Sequence, residues 1–162
     1  MKKIFYLLFA LACMGCQKSE NQIIKTVNFE ELEAIINEPT PTLQVVNFWA
    51  TWCLPCVEEL PGFMEVNKQY QADPNFKMLL VSLDKAAALE TKVIPFVQKK
   101  GIVTDVYLLD DNKRMNHWIP AIDANWSGAI PATVLYKNGK KVAFVEGQLT
   151  QEELNNLIKS NL

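Results

Sequence analysis

One stretch constrains this chain more than any other: Val45-Val46-Asn47-Phe48-Trp49-Ala50-Thr51-Trp52-Cys53-Leu54-Pro55-Cys56-Val57-Glu58-Glu59-Leu60-Pro61. An apolar, β-branched and aromatic run ends at two cysteines, and helix-forming residues follow at once, so the pair is expected where a buried strand hands over to a helix. At a helix N-terminus, free N–H groups and aligned peptide dipoles favour negative charge, so the Cys53 thiol should ionise more readily than a free cysteine. Cys56 falls about one helical turn further along the same face, within reach of Cys53 for a disulfide. Pro55 sits in the first turn, where its missing N–H has no intrahelical partner to lose.

Two other uses of a cysteine pair compete. A four-ligand zinc site needs two more Cys or His, and the body of the chain offers only His117, so no metal is expected. A purely structural disulfide closing so short a loop restrains the unfolded chain poorly. Redox chemistry is the reading this spacing favours.

The segment Phe48-Trp49-Ala50-Thr51-Trp52-Cys53-Leu54-Pro55-Cys56, followed by Glu59 and Pro61, resembles the thioredoxin superfamily and, within it, the membrane-anchored TlpA/ResA-like thiol-disulfide reductases. The likeness continues in Gly128-Ala129-Ile130-Pro131-Ala132-Thr133-Val134-Leu135-Tyr136-Lys137-Asn138-Gly139, which is similar to the family's cis-proline segment and the hairpin after it. The resemblance implies an α/β thioredoxin-like fold, a central mixed β-sheet flanked by α-helices. It implies a cis bond before Pro131, although only about one X-Pro bond in twenty is cis in folded proteins, and a backbone at Ile130 that pairs with a bound substrate strand. Asn47 stands where thioredoxin carries a buried aspartate, and an amide cannot accept a proton in its place. The reductase branch carries a glutamate at the spacing of Glu59, so Glu59 is the expected group that tunes Cys56 and takes its proton; its bland alternative is an exposed helix glutamate like Glu58. Trp49 extends the strand and should be core, whereas Trp52, Leu54 and Pro55, with Ile130, are the expected substrate-contacting residues. Leu54 departs from the glycine, glutamate or histidine of better-known members, and the intervening pair affects thiolate stability.

The beginning of the chain bears on compartment. Met1-Lys2-Lys3 is basic, residues 4–15 are almost unbroken apolar, and Cys16-Gln17-Lys18-Ser19-Glu20-Asn21 turns polar, which reads as a secretory signal. A helix of about 18 Å from this run falls short of the roughly 30 Å hydrocarbon core, so a permanent span is not expected. A small residue before a cysteine here resembles a bacterial lipoprotein signal. Cys16 after Gly15 is favoured over Cys13 after Ala12, because Cys13 would leave Met14-Gly15-Cys16 at the new terminus. The alternatives are a soluble secreted protein or an uncleaved anchor. The expected organisation is a signal over residues 1–15, a tether over 16–26 and one thioredoxin-like domain over 27–162. A dithiol outside the cytoplasm must be kept reduced by a partner or act as an oxidant. Losing residues 1–15 removes Lys2 and Lys3 from 16 basic side chains against 18 acidic ones, taking the net charge from −2 to −4. No basic patch suggests nucleic acid.

Along the domain, a short strand is expected over residues 23–27, then a helix capped by Asn28 with Glu31 completing a capping box and ended by Pro39-Thr40-Pro41. A buried strand over 43–49 and the active-site helix over 54–70, kinked at Pro61, follow. Next come a strand over 76–83, a helix over 84–100 interrupted at Pro95 and closed by Gly101, a strand over 103–109 and a turn over 110–113. Residues 112–129, with Met115, His117, Trp118, Ile119, Pro120 and Trp126, form either a partner-recognition loop or a small packed helix; packing is favoured for Trp126, and a surface place for His117. Strands over 132–136 and 141–145 joined at Asn138-Gly139, and a helix over 150–160, complete the domain.

Three function classes remain. The favoured one is a periplasm-facing, lipid-anchored oxidoreductase acting on disulfide-containing proteins, apocytochrome c among them. It would draw electrons from a membrane thiol carrier and need no further cofactor; a monomer is expected. A copper chaperone would resemble relatives with a three-residue spacing and a histidine motif, and a thiol peroxidase would need a threonine-supported single cysteine; this chain has neither pattern. A disulfide-donating oxidase shares the same motif.

Overall fold

The structure is a computed structural model that describes residues 23–162. The expected signal, Cys13 and the candidate lipidation residue Cys16 lie outside the described residues. Six strands, β1 (Lys25–Val27), β2 (Leu43–Trp49), β3 (Phe76–Ser82), β4 (Asp105–Leu109), β5 (Ala132–Lys137) and β6 (Lys140–Glu146), form one sheet in the order β1-β4-β3-β2-β5-β6. The first four in that order run parallel, and β5 and β6 add antiparallel strands beyond β2. β2 is buried throughout because it has a neighbour on each edge and helices on both faces, which is why its sequence is almost continuously apolar.

Side chains alternate across the sheet, and this alternation assigns the site to one face. Val46 and Phe48 join Leu79, Val81 and Val134 beneath α1 (Phe29–Ile36) and α4 (Met115–Ile122), which contribute Leu32, Ile36, Trp118 and Ile122. Leu43, Val45 and Trp49 face the other way, beneath α2 (Leu54–Tyr70), α3 (Ile94–Lys100) and α5 (Gln151–Lys159), which bring Leu60, Phe63, Val66, Val97, Leu154 and Ile158. Asn47, between Val45 and Trp49 in this alternation, therefore lies under α2.

β2 and α2 have the expected bounds, and α2 runs through Pro61 without ending. The expected capping box of Asn28 with Glu31 forms at α1, and the structure adds a second, Thr150 with Glu153 at α5. Each is worth about 1 kcal/mol to its helix. β1 is shorter than residues 23–27, because only Lys25, Thr26 and Val27 have a partner in register on β4, and Ile23 is exposed. β3 stops at Ser82, one residue short. β4 starts at Asp105 rather than 103, since Val103 turns its carbonyl toward the Asn67 side chain on α2.

The helix expected over 84–100, in one piece or in two broken at Pro95, is corrected most. A 3-10 turn (Ala86–Ala88) and a π-helical turn (Leu89–Val93) precede α3, and Pro95 occupies the first turn of α3 instead of interrupting a longer helix. Gly101, at φ 61°, ends α3, with the Ile102 N–H returning to the Val97 carbonyl. In residues 112–129 the packed-helix reading holds: a 3-10 turn (Asn112–Arg114) leads into α4. Trp118 is buried with Nε1 donating to the Asp111 carbonyl at 2.9 Å, and Trp126 is buried with Nε1 donating to the Ala129 carbonyl at 2.8 Å. The turn at 110–113 does more than reverse the chain, since the buried Asp111 accepts the Phe29 N–H at the start of α1 and pairs with Arg114, which also grips Glu30.

At the β5–β6 hairpin, Asn138 and Gly139 have φ of 54° and 67°, the left-handed pair that a two-residue turn requires. A Cβ on Gly139 would also come within 2.5 Å of the Asn37 carbonyl oxygen, so the hairpin tip touches the end of α1.

Candidate active site

The last bond between β2 and the end of β3 runs from the Leu83 N–H to the Trp49 carbonyl, after which the chain turns through Ala50, Thr51 and Trp52. The Cys53 N–H closes this turn on the Ala50 carbonyl at 3.2 Å, and the Cys53 carbonyl accepts the Val57 N–H to begin α2. Cys53 is thus the N-cap of α2, and its Sγ accepts the Cys56 N–H at 3.3 Å. Sulfur takes the place of the usual capping oxygen, in the position where a negative charge is favoured. Cys53 and Cys56 form a disulfide with a Cα–Cα distance of 5.3 Å. Cys53 is 6% exposed and Cys56 0%, so Cys53 is the outer sulfur and Cys56 the inner one.

Around the outer sulfur the surface is apolar. Trp52 and Leu54 are each 68% exposed and Pro55 is exposed, whereas Trp49 is wholly buried against Phe96 with ring centroids 5.3 Å apart. On the opposite side the Ile130–Pro131 bond is cis, and the Ile130 carbonyl oxygen lies 3.6 Å from Cys53 Sγ. The Pro131 carbonyl accepts the Gly147 N–H at 2.8 Å, which anchors this segment to the loop after β6.

Glu59 is only 4% exposed, unlike its exposed neighbour Glu58. It lies one turn beyond Cys56 on the inward face of α2. Its Oε1 accepts from Asn47 Nδ2 at 2.8 Å and its Oε2 from the Leu149 N–H at 2.9 Å. Burial pushes its pKa up to about 7, although the two hydrogen bonds, Leu149 first, pull the other way. Asn47 Nδ2 also reaches Thr133 Oγ1 at 3.2 Å, while Asn47 Oδ1 is buried with no hydrogen-bond partner among the described residues. A flip of the amide would let Oδ1 accept the proton of a neutral Glu59, so Asn47 can serve either protonation state.

The structure therefore gathers Cys53, Cys56, Ile130 and Pro131 at one end of the sheet, with Trp52, Leu54 and Pro55 at the rim and Glu59 beneath. His117 stands apart on the exposed side of α4, its ring edge-on to Phe29 at 6.0 Å. Among the described residues no group of three or more His, Cys, Asp or Glu comes together to hold a metal ion, and no helix is long and apolar enough to cross a membrane. Sequence reasoning missed the Leu149 N–H, Thr133 and Asp84. Thr133 and Leu149 give no local signal, since they meet Asn47 and Glu59 only through the pairing of β5 with β2 and the return of the chain after β6. Asp84 had one: a polar residue just past the C-terminal end of a parallel strand, the end at which sites of open α/β sheets gather.

The AhpC/TSA family matches residues 8–145. The thiol-disulfide oxidoreductase ResA of Geobacillus thermodenitrificans (strain NG80-2) is 28% identical over 116 residues, 71% of this chain and 60% of that protein. The chain spans about 60% of the length of the curated relatives that resemble it in this way. Among solved structures, a thiol:disulfide interchange protein of the thioredoxin family from Chlorobium tepidum TLS superposes with a TM-score of 0.61 at 22% identity, covering 75% of this chain and 81% of that one. StoA from Bacillus subtilis superposes at 0.58 and 22% identity, covering 74% and 84%. With the six-stranded sheet, the cysteine pair and the segment before Pro131 in place, the chain belongs to the AhpC/TSA family of the thioredoxin superfamily, on its TlpA/ResA-like side.

Proposed function

We propose that this protein is a thiol-disulfide oxidoreductase that works mainly as a reductase of partner proteins outside the cytoplasm, held at the membrane by a lipid on Cys16. The observation that carries the reading is the asymmetry of the cysteine pair: Cys53 is the outer sulfur at the N-cap of α2, Cys56 is fully buried, and a carboxyl sits one turn deeper. In the reduced protein the Cys53 thiolate, stabilised by the helix N-terminus and the Cys56 N–H, attacks one sulfur of a partner disulfide. The Cys53–partner bond forms as the partner's S–S bond breaks, and the departing partner sulfur takes a proton. Glu59 then takes the Cys56 proton, and the Cys56 thiolate attacks Cys53, closing the Cys53–Cys56 disulfide and releasing the partner as a dithiol, two electrons richer. A carboxyl with a pKa near 7 suits proton acceptance at neutral pH.

Ile130 places its carbonyl beside Cys53, and the exposed Trp52 and Leu54 offer an apolar rim on which an extended segment around the partner's cysteine can lie. The likeness to the ResA proteins, which are named thiol-disulfide oxidoreductases, supports the reaction class. Apocytochrome c awaiting haem attachment is the partner that the family likeness favours, and a membrane thiol carrier would re-reduce Cys53–Cys56.

Direction is tested by the equilibrium potential of the Cys53–Cys56 pair, titrated against glutathione and dithiothreitol. A value near −270 mV or lower, about that of thioredoxin, is the expected result; one near about −120 mV would make the protein a disulfide donor. The roles of the two sulfurs separate in single variants. Cys53→Ala should abolish exchange, whereas Cys56→Ala should accumulate a mixed disulfide through Cys53, visible as a mass adduct. An adduct on Cys56 in Cys53→Ala at equal rate would count against the assignment.

A further inference from the structure

The turn that delivers Cys53 is held by a residue outside the motif. Asp84, just past the end of β3, is 2% exposed. Its Oδ2 accepts from the Thr51 N–H at 2.8 Å and from Ser82 Oγ at 2.9 Å, and its Oδ1 accepts from Thr51 Oγ1 at 2.7 Å. Its own N–H donates to Ser82 Oγ at 3.1 Å. No ion pair among the described residues reaches it; three neutral donors hold a buried carboxylate. Such a group costs free energy to bury unless every acceptor is used, so its place calls for a structural or chemical return.

Both donors of Thr51, two residues before Cys53, end on this one carboxylate. Backbone pairing between the ends of β2 and β3 stops at the Leu83–Trp49 bond, and from there the Asp84 side chain replaces it. Cys53 is held on its helix side by the Val57 N–H and on its strand side by the turn that Asp84 secures. In the oxidised protein the S–S bond also ties Cys53 to α2; once reduced, that tie is gone, and the turn decides whether Sγ stays at the N-cap facing the Cys56 N–H.

We propose that Asp84 is a positioning residue for the nucleophile: through Thr51 it keeps the reduced Cys53 sulfur at the N-terminus of α2, where it is most reactive. The inference rests on the thiol-disulfide exchange reading above. Geometry and charge pull in opposite directions here, which makes the idea testable. A carboxylate near a thiol opposes thiolate formation, so if charge were its only influence, removing Asp84 would speed Cys53. If it acts by holding the turn, removing it slows Cys53. An asparagine keeps the shape and an acceptor for the Thr51 N–H, while its NH2 can donate to the Thr51 hydroxyl oxygen; it removes only the charge.

The experiment uses the full chain, fully reduced, at pH 7, with iodoacetamide; carbamidomethylation of the Cys53 peptide is timed by mass spectrometry, which separates it from Cys13, Cys16 and Cys56. Asp84→Ala should slow Cys53 by about tenfold or more, the factor that corresponds to roughly one hydrogen bond to a charged group, and Asp84→Asn should recover at least the wild-type rate. Should Asp84→Ala fail to fold, Thr51→Val and Ser82→Ala, each removing one of the three bonds to the carboxylate and leaving the other two in place, should slow Cys53 by a part of that effect, about twofold or more. Unchanged rates in Asp84→Ala, or in both of the milder variants when they stand in for it, would overturn the proposal, as would a faster Cys53 in both Asp84 variants. Reduced wild-type protein mixed with oxidised glutathione is the control for the underlying reading: failure to form the Cys53–Cys56 disulfide with release of two reduced glutathiones would overturn that reading and this inference together, whereas normal exchange with an insensitive Asp84→Ala overturns the inference alone.

Discussion

Glu59 has a consequence for stability as well as for chemistry. Its pKa in the folded protein, near 7, is above that of an exposed glutamate. Between roughly pH 4.5 and 7 the unfolded chain has given up the proton and the native protein keeps it, so stability falls as pH rises through that window and is level above it. The size is about 3 kcal/mol at most, from about 1.4 kcal/mol per unit of pKa. Glu59→Gln should flatten this part of the profile. Urea denaturation at pH 5 and pH 8 checks it: the wild type loses stability between them and the variant does not, with Asn47 turning its unpaired Oδ1 toward the new NH2. An equal loss in both proteins would show that the carboxyl is not the titrating group. The same variant should slow release of the mixed disulfide by about a hundredfold, the usual worth of a positioned base, as read by stopped-flow with a disulfide-linked fluorescent peptide.

At the scale of elements, α4 and the aromatic cluster beneath it were the least legible part of the chain. Phe48, Trp118 and Trp126 meet with centroid distances of 4.9 to 6.4 Å, and α4 is fastened to α1 by Arg114 bridging Glu30 and Asp111. Lys141 on β6 adds an ion pair to Asp123 just past the helix. The run around Trp118 and Pro120 lacks a capping residue and carries a proline, so local propensity argues weakly for a helix; burial of Trp118 overrides it. Trp118→Ala should cost about 3–5 kcal/mol, read by thermal or urea unfolding. Because the cluster lies on the sheet face opposite Cys53, reduced Trp118→Ala protein that remains folded should be alkylated at Cys53 at the wild-type rate. A slowed Cys53 would show that α4 supports the site as well as the fold.

For the whole molecule, the sheet order predicts where native stability is greatest. β2 is buried end to end between β3 and β5, while β6 is an edge strand with exposed Lys140, Lys141 and Val142, and β1 is an edge of three residues. Native-state hydrogen exchange should find the slowest amides in β2 and β3, opening only with global unfolding, and faster exchange through β6. Slow exchange confined to β6 would contradict this distribution. One short segment spans the site at this scale: the loop after β6 gives its Gly147 N–H to Pro131 and its Leu149 N–H to Glu59. The substrate-facing segment and the buried carboxyl thereby share a support that no local stretch of sequence reveals.

The parts of the site legible beforehand are those written in contiguous residues. The apolar run of β2, the cysteines at the start of α2, the Asn28–Glu31 capping box and the Asn138-Gly139 turn each depend on neighbours within a few positions, where steric and hydrogen-bonding rules act directly. The break of residues 84–100 into three helical turns, the start of β4, the partners of Glu59 and the grip of Asp84 on Thr51 depend on chain segments far apart in sequence. Local chemistry was enough to place the nucleophile on a helix end. Which sulfur is buried, which carboxyl loses its water and which side chain steadies the turn were decided by packing across the sheet, because desolvation and register exist only once distant segments meet.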